Sequence, residues 1–436
     1  MNTEKLFLGV SREIITPKIG CNLYGYDPNL YSTSVNDDLT ATAFYFKQGD
    51  TQALMISVTI CCIVNEVNDK LLEVIGASLD MPAKNIIIHA THTHSGPSVS
   101  NSAGWGSVDT DYVDNILFPN LIKLSKDAKA DATPVKMGVA KGDSFVAINR
   151  RQMSDNGKIK LGQDPEGIFD PQMTVISFIT DDGKVKANLV HYACHGTASG
   201  LNTEITRDWP GPMIDDLDSL SGGITAFFNG PEGDVGPRLK NGKTTGDKSV
   251  KYALELGEIA SKDACSIYEN INEYTTPKLK VDTYQVKMPL EPRITLEQAK
   301  EEYEKYKDAI HNIYIAKRAY YERVIKSYED NYVEIDNVPF NQTIITLGDV
   351  AFVSFPHELF AEIGLKIKNE KVYQHTLVLA LTNGRAIYFP TSREIPRGGY
   401  EVEMFKIKYV QPLSYDCDNS AIAQTVENLK NIKCKE

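Results

Sequence analysis

Three histidines stand within six residues in the segment IIIHATHTHSGPS, residues 86–98. Side chains alternate along an extended chain, so His92 and His94 are expected to point to the same side, while His89 is less suited to join them. Neutral imidazole is a common zinc ligand and also carries protons near neutral pH. The pair therefore predicts a metal site or an acid–base centre, whereas a single histidine here would fit a structural role.

A second apolar stretch runs into histidine in ANLVHYACHGTAS, residues 187–199. His195 is followed by Gly196 and a threonine, as at a turn, and packing alone explains two such junctions poorly. Cys194 could form a Cys/His nucleophile pair with His195, but a small buried residue at a strand end is the favoured interpretation. Together the two segments predict that His92 and His195 share one zinc ion, which accepts imidazole nitrogen and carboxylate oxygen.

The elements that must position these residues are predicted from apolar, β-branched stretches that alternate with helical patterns at 65–79 and 112–127. This alternation is typical of an α/β fold with mixed β-sheets covered by helices. Ligands of open α/β folds bind at the carboxyl ends of strands, where both histidine segments stand. The predicted strands are 42–46, 53–58, 85–90, 174–179, 186–192, 224–228, 350–355 and 376–381.

Two stretches differ from this pattern. Residues 295–330 carry tyrosine and isoleucine at helical spacing among charges, which predicts a long helix or a helical hairpin packed on the body. Residues 240–250 are polar and rich in glycine and lysine, which predicts an exposed loop. We expect residues 1–436 to form a single catalytic domain with a helical insertion at 295–330, which could be a lid or a buttress.

Composition excludes several classes of function. The 436 residues carry a formal net charge of −12, whereas a nucleic-acid partner requires a basic face and an anionic membrane would repel the chain. The longest apolar run, residues 53–64, is shorter than the roughly 20 residues of a membrane-spanning helix and is interpreted as a buried strand. No secretory signal is recognised, and seven scattered cysteines without a CxxC motif indicate reduced thiols. A cytoplasmic location is the expectation.

Several motifs resemble those of the neutral/alkaline non-lysosomal ceramidases, amidases that cleave ceramide. The histidine segments supply THTHSGP at 91–97 and HGT at 195–197. Further motifs are GVSREIITP at 9–17 with GY at 25–26, INR at 148–150, FNGPEGDVGP at 228–237, FPHELFAEIG at 355–364 and TNGRAIYFPTSRE at 382–394. The similarity runs in patches from residue 9 to the early 400s, and residues 240–341 contribute nothing to it.

The resemblance implies that zinc is held by His92, His195, Glu358 and Tyr388. Taken alone, Glu358 would be an acidic residue near a helix N-terminus and Tyr388 a packed aromatic. Only the resemblance makes them metal ligands.

The resemblance also implies two catalytic residues beside the metal. His94 would pass a proton to the leaving group, and Arg150 would bind the developing oxyanion. A salt-bridged structural role is the equal alternative for Arg150. Asp208 and Asp234 are expected to support the ligands from behind.

Gly236 departs from the family, whose members carry serine at this substrate-binding position in GDVSP. A covalent serine mechanism at position 236 is therefore excluded, whereas metal-activated water needs no serine. The chain also ends near the point where true ceramidases continue into a further β-rich domain.

We therefore expect a zinc-dependent hydrolase of amide or ester bonds that is not a true ceramidase. Its expected partner is a small-molecule or lipid-like amide. Two alternatives remain. One is an inactive binding protein that keeps the metal pocket, which Gly236 favours but the retained His94 and Arg150 disfavour. The other is a metal hydrolase of lactone or phosphoester bonds.

Overall fold

The computed structural model describes residues 4–385 and 387–435. Its strands are β1 (Leu6–Ile14), β2 (Ser34–Val35), β3 (Thr40–Gln48), β4 (Thr51–Val58), β5 (Ile86–Ala90), β6 (Thr133–Asp143), β7 (Ala147–Met153), β8 (Ile159–Asp164), β9 (Gln172–Thr180), β10 (Val185–Tyr192), β11 (Glu204–Ile205), β12 (Ile224–Asn229), β13 (Val235–Pro237), β14 (Leu279–Pro289), β15 (Asn337–Leu347), β16 (Val350–Ser354), β17 (Glu358–Leu359), β18 (His375–Leu379) and β19 (Tyr388–Phe389). Its helices are α1 (Asn65–Leu79), α2 (Thr110–Tyr112), α3 (Phe118–Ala130), α4 (Pro210–Ser221), α5 (Lys251–Glu269), α6 (Leu296–Tyr306), α7 (Asn312–Glu329), α8 (Ala361–Asn369), α9 (Tyr400–Lys406) and α10 (Cys417–Cys434).

The larger sheet has eight strands in the order β12-β10-β9-β6-β1-β3-β4-β5. Its two edge pairs, β10–β12 and β4–β5, are parallel, and the strands between them are antiparallel. The sheet curls on itself, because β12 contacts both β4 and β5 although they lie at opposite ends of the strand order. At this closure the backbone N–H of Asn229 donates to His89 Nε2 at 2.9 Å. The curl brings the carboxyl ends of β5 and β10 together.

The second sheet has four strands in the order β14-β15-β16-β18, with β16 and β18 parallel. Apolar side chains of the two sheets share one buried cluster, to which Phe44 and Ile87 contribute from the first sheet and Phe352 and Leu377 from the second. This packing sets the carboxyl ends of β16 and β18 beside those of β5 and β10. Beyond them the chain forms the short parallel pair β17–β19.

Helices cover the outer faces of the sheets. Helices α1 and α3 bury Leu71 and Leu121 in one cluster, and α4 and α5 bury Leu217 and Leu256 in another. A third cluster, which includes Ile363, joins α8 and α10 to the second sheet. The predicted fold class, mixed sheets covered by helices, is thus confirmed. No helix within the described ranges combines the length and apolar character that crossing a membrane requires.

The predicted helical insertion is a hairpin, α6 and α7, placed between the neighbouring antiparallel strands β14 and β15. Helix α7 buries Ala316, Tyr320 and Val324 in the cluster that also holds α1 and α3. The hairpin therefore packs on the body along one face, and the start of α7 reaches the cavity described below.

Each of the eight predicted strands overlaps an observed one, but two local expectations need correction. The apolar run 53–64 is a strand only as far as Val58, and the rest is a buried loop. The loop 240–250 lacks regular structure as expected up to the start of α5, but it is not exposed throughout, because Thr244 turns inward with 6% of its surface exposed.

Candidate metal centre

His92, His195 and Glu358 converge at the point where the two sheets meet. The Nε2 atoms of His92 and His195 each lie 3.4 Å from Glu358 Oε2. At most 3% of each residue is exposed. One potential ligand atom from each of the three lies within 4.8 Å of the other two.

The backbone turns sharply to present His92. Strand β5 ends at Ala90, and His92 has a φ of 71°, a left-handed conformation that is uncommon for a residue with a side chain. Its Nδ1–H donates to the carbonyl of Cys61 at 2.8 Å. This hydrogen bond orients the ring and directs Nε2 towards Glu358.

His195 is oriented in the same way. Its Nδ1–H lies 2.8 Å from the carbonyl of Glu232 and 3.1 Å from that of Val235. Its own carbonyl accepts the indole N–H of Trp209 at 3.0 Å. The Nε2 atom of His195 has no hydrogen-bond partner among the described residues.

Glu358 and Tyr388 are joined by the pairing of β17 with β19, in which they stand directly opposite each other. The Tyr388 ring stacks on His195 with the centroids 6.5 Å apart and the planes inclined by 14°. The structure therefore brings all four residues of the implied ligand set to one place. Position 386, inside the motif at 382–394, lies outside the described residues.

The geometry of this cluster fits a zinc ion. Two ligand atoms each about 2.0–2.1 Å from a tetrahedral ion lie roughly 3.3–3.4 Å apart, which matches the separations from Glu358 Oε2. Two of the atoms concerned, His195 Nε2 and Glu358 Oε2, are buried without a hydrogen bond, which is costly unless another group binds them. Imidazole nitrogen and carboxylate oxygen are also donors that zinc prefers.

Charge is unevenly distributed over the cluster. Burial disfavours the charged form of His92, but the neighbouring Glu358 carboxylate outweighs it and raises the pKa of His92 to about 9. Burial and the charge of Arg150 lower the pKa of His195 to about 3. The carboxyl of Glu358 is also buried, yet the histidines hold its pKa well below the ordinary value.

His94 lies beside the three-residue cluster. Its Nε2 is 3.3 Å from His92 Nε2, and its ring packs edge-on against Tyr26 at 4.8 Å. Gly25 allows this close approach, because a Cβ there would lie 2.4 Å from His94 Nδ1. Burial, followed by the charge of His92, keeps the pKa of His94 well below its usual value. His94 is therefore held as a neutral imidazole.

Arg150 combines the two roles that its sequence context left open. Its Nε donates to Glu401 Oε1 at 2.8 Å, so it is a buried, salt-bridged arginine. Its guanidinium also lies 5.3 Å from the centroid of the Tyr388 ring, and its Nη2 has no hydrogen-bond partner in the described part of the chain. One nitrogen is thus anchored and another is free to bind a ligand.

Asp208 and Asp234 support the backbone of the site, and neither forms a hydrogen bond with a ligand imidazole. Asp208 accepts backbone N–H groups from residues 198, 199 and 209, which shape the loop after His195. Asp234 accepts from the backbone of Ala361 at 2.7 Å and from the amide of Asn149 at 3.1 Å. The imidazoles are oriented by backbone carbonyls instead.

Gly236 lies in β13 and faces Thr244 from the loop 240–250. A Cβ at position 236 would lie 2.7 Å from Thr244 Cβ and 3.1 Å from Thr244 Cγ2. The threonine therefore occupies space that a serine side chain at 236 would need.

A cavity of about 590 Å³ opens beside the cluster. His94, Arg150, Tyr388 and Thr244 line it on the protein side, and residues 311–313 at the start of α7 line it from the helical hairpin. The site thus has an adjacent space of the size that small-molecule ligands occupy.

Sequence reasoning missed two carboxylates. Glu401 holds both Arg150 and Arg151, at 2.8 and 2.7 Å, and lies far from them in the chain. Glu232 is completely buried, and this burial raises its pKa to about 8. A signal for Glu232 was present, because it stands inside the motif at 228–237 that also contains Asp234. Cys194, by contrast, is a buried thiol, and burial raises its pKa. This agrees with the interpretation of Cys194 as a small buried residue at a strand end.

Comparisons with known proteins agree with this site and fold. The family described as neutral/alkaline non-lysosomal ceramidase, N-terminal, matches residues 7–252, more than half of the chain. The neutral ceramidase of Pseudomonas aeruginosa is 25% identical over 186 residues, which are 40% of this chain and 28% of that protein.

Solved structures match over nearly the whole chain. A crystal structure of neutral ceramidase from Pseudomonas aeruginosa superposes with a TM-score of 0.77 at 16% identity, covering 99% of this chain and 75% of that one. A structure titled as ceramidase complexed with C2 gives a TM-score of 0.74 with the same identity and coverage. At this identity the likeness establishes the fold. With the family match over its first half, the chain belongs to the neutral/alkaline non-lysosomal ceramidase family.

Proposed function

We propose that this chain is a zinc-dependent hydrolase of amide C–N bonds that also accepts activated esters. The observation that carries the proposal is the convergence of two imidazole Nε2 atoms on Glu358 Oε2, at 3.4 Å each, with both rings oriented by backbone carbonyls. Membership of a family named for amide hydrolysis supports the type of bond.

His92, His195, Glu358 and Tyr388 would hold the zinc ion. When bound, zinc supplies Lewis acidity that lowers the pKa of water and polarises a carbonyl. Because the first two ligands come from the larger sheet and the other two follow the second sheet, we propose that both sheets act as one catalytic unit.

His94 and Arg150 would act directly on the substrate from the cavity wall. The neutral imidazole of His94 accepts a proton and then delivers it to the leaving nitrogen. The unpartnered Nη2 of Arg150 donates to the substrate oxygen as negative charge develops on it, while Glu401 holds the other side of the guanidinium.

The proposed substrate is a small-molecule or lipid-like amide, and we propose that ceramide is not the preferred one. Support comes from Gly236, which offers no hydroxyl, and from Thr244, which fills the neighbouring space. A cytoplasmic location stays a proposal that rests on the seven cysteines, all of them free in the structure.

Zinc analysis combined with a substrate panel tests the proposal. We expect about one zinc per wild-type chain, loss of the metal in His92→Ala and His195→Ala, and full retention in the control His375→Ala, which lies at the start of β18. Chromogenic anilides, esters and phosphoesters, assayed with and without zinc, identify the bond. Equal zinc content in all four proteins would refute the site. Zinc binding without turnover of any substrate would favour a binding protein.

A further inference from the structure

Glu232 is a completely buried carboxylate whose two oxygens both lack a hydrogen-bond partner among residues 4–385 and 387–435. Other buried acidic groups near the site are paired: both oxygens of Asp234 accept hydrogen bonds, and Glu401 binds two arginines. Burying a carboxylate without such partners is strongly unfavourable unless a cation lies close by. The absence of partners at Glu232 therefore requires an explanation.

The backbone of Glu232 is fixed between two of the proposed metal ligands. Its carbonyl accepts the Nδ1–H of His195 at 2.8 Å. The next residue, Gly233, donates to the carbonyl of Leu359 at 2.7 Å, and a Cβ on Gly233 would lie 2.3 Å from the carbonyl oxygen of Glu358. The position of Glu232 next to the cluster is thus set by main-chain contacts on both sides.

Glu232 does not belong to the ligand set itself. The atoms that lie within 4.8 Å of one another come from His92, His195 and Glu358, and the set does not include an oxygen of Glu232. The charged groups that act on Glu232 most strongly are nevertheless His92, Glu358 and Arg150. Arg150 is paired with Glu401, and His92 with Glu358, so each of these cations already faces another carboxylate.

We infer that Glu232 balances the charge of the bound divalent cation and raises the affinity of the site for it without ligating it. The inference rests on the proposed function, because it requires the metal. A dication with Glu358 as its one charged ligand keeps a net positive charge, and a second carboxylate neutralises it. In the poorly screened interior this attraction extends well beyond the length of a metal–ligand bond.

The test compares wild type with Glu232→Gln, Glu232→Asp and the control Asp418→Asn, which changes a buried acidic residue of α10 outside the cluster and the cavity lining. Zinc affinity is measured by competition with a chromophoric chelator, and the unfolding temperature of each metal-free protein is measured separately. We expect Glu232→Gln to bind zinc about 10–100-fold more weakly, the range found for groups that act behind metal ligands. We expect Glu232→Asp to retain most of the affinity because it keeps the charge.

The metal-free proteins separate an electrostatic role from a packing role. Burial raises the pKa of the Glu232 carboxyl, so replacing this group with an amide should leave the unfolding temperature of metal-free Glu232→Gln unchanged or raise it. The control Asp418→Asn also changes a buried carboxyl with an oxygen that is unpaired within the described part of the chain, and it should leave zinc affinity unchanged because Asp418 lies outside the cluster.

Three outcomes would overturn the inference while leaving the proposed function intact. They are unchanged zinc affinity in Glu232→Gln, a lowered unfolding temperature of its metal-free form, and an equal loss of affinity in Asp418→Asn. If wild type binds no zinc, the proposed function fails, and the inference fails with it.

Discussion

At the residue scale, two histidines separated by one threonine take different positions. His92 Nε2 lies 3.4 Å from Glu358 Oε2 and belongs to the cluster with His195 and Glu358. His94 lies outside that cluster, contacts His92 and Tyr26, and lines the cavity. The left-handed backbone at His92 ends the extended alternation at that residue, yet the Nε2 atoms of the two rings lie 3.3 Å apart.

Replacing His94 with alanine should therefore separate metal binding from proton transfer. We expect His94→Ala to keep its zinc and its kcat to fall about 10²–10⁴-fold, which is the usual contribution of general acid–base catalysis. Zinc content and steady-state rates on the best substrate of the panel measure this. Loss of zinc as complete as in His92→Ala would make both histidines ligands. Full rate with full zinc would remove the proposed proton transfer.

Zinc binding should also release a proton from His92. In the metal-free chain burial opposes the charged form, but Glu358 prevails and raises the pKa of His92 to about 9, so the ring is protonated at pH 7. Zinc needs the Nε2 lone pair, so we expect at least one proton to be released per zinc and the affinity to fall as the pH falls below 9. Calorimetric titrations in buffers of different ionisation enthalpy measure the release.

The raised pKa of His92 also affects the stability of the metal-free fold. The raised pKa means that protonation of His92 stabilises the metal-free fold fully below about pH 6.5, the unfolded value, and that this contribution is lost as the pH rises through 9. Zinc binding at pH 7 without proton release would contradict the protonated state of His92.

At the element scale, the site depends on short segments that follow the strands. The two-residue strands β17 and β19 bring Glu358 and Tyr388 together, and β13 places Gly236 against the loop 240–250. These segments are too short to produce a periodic pattern, although they place half of the proposed ligand set.

The contact between β13 and the loop predicts a coupling between positions 236 and 244. A Cβ at 236 would approach Thr244 Cβ to 2.7 Å, so we expect Gly236→Ala to lower the free energy of unfolding by about 1–3 kcal/mol through overpacking. In a Thr244→Gly background the same substitution should cost much less. Denaturant unfolding of the four proteins of this double-mutant cycle gives the coupling energy. Equal costs in the two backgrounds would show that the loop adapts freely.

At the scale of the whole molecule, the two sheets, the hairpin α6–α7 and the loop 240–250 together enclose a cavity of about 590 Å³. A cavity of this size suits a small molecule, whereas ceramide carries two long hydrocarbon chains. The matched segment of the curated relative covers 28% of that protein, so its activity is not carried over as a whole.

A short soluble amide should therefore be the better substrate. We expect kcat/KM for long-chain ceramide in mixed micelles to fall at least tenfold below that for a short N-acyl amide, because the cavity is small and Gly236 offers no hydroxyl. Parallel assays under identical zinc and detergent conditions measure the ratio. Comparable values would show that the hydrocarbon chains of ceramide bind outside the cavity and that the family's serine hydroxyl is dispensable.

Sequence alone indicated the candidate metal-ligating histidines and much of the framework around them. The buried strand β5 begins with three consecutive isoleucines, and a run of apolar residues indicates such burial directly. Strands β14 and β15 went unpredicted, because their outer halves mix charged, polar and apolar residues on a partly exposed sheet. Residues 86–98 and 187–199 were informative because histidine is rare in this chain and was concentrated at strand ends.

Tertiary structure decided which of these residues meet. The curl that joins β5 to β12, the pairing of Glu358 with Tyr388, the inward turn of Thr244 and the unpaired burial of Glu232 all depend on contacts between segments distant in the chain. A local pattern reports whether a residue faces a core. It carries no information on which distant group will form a hydrogen bond with that residue, or on whether any will. For this reason the sequence indicated a metal site, and only the fold revealed a buried carboxylate beside it without a partner.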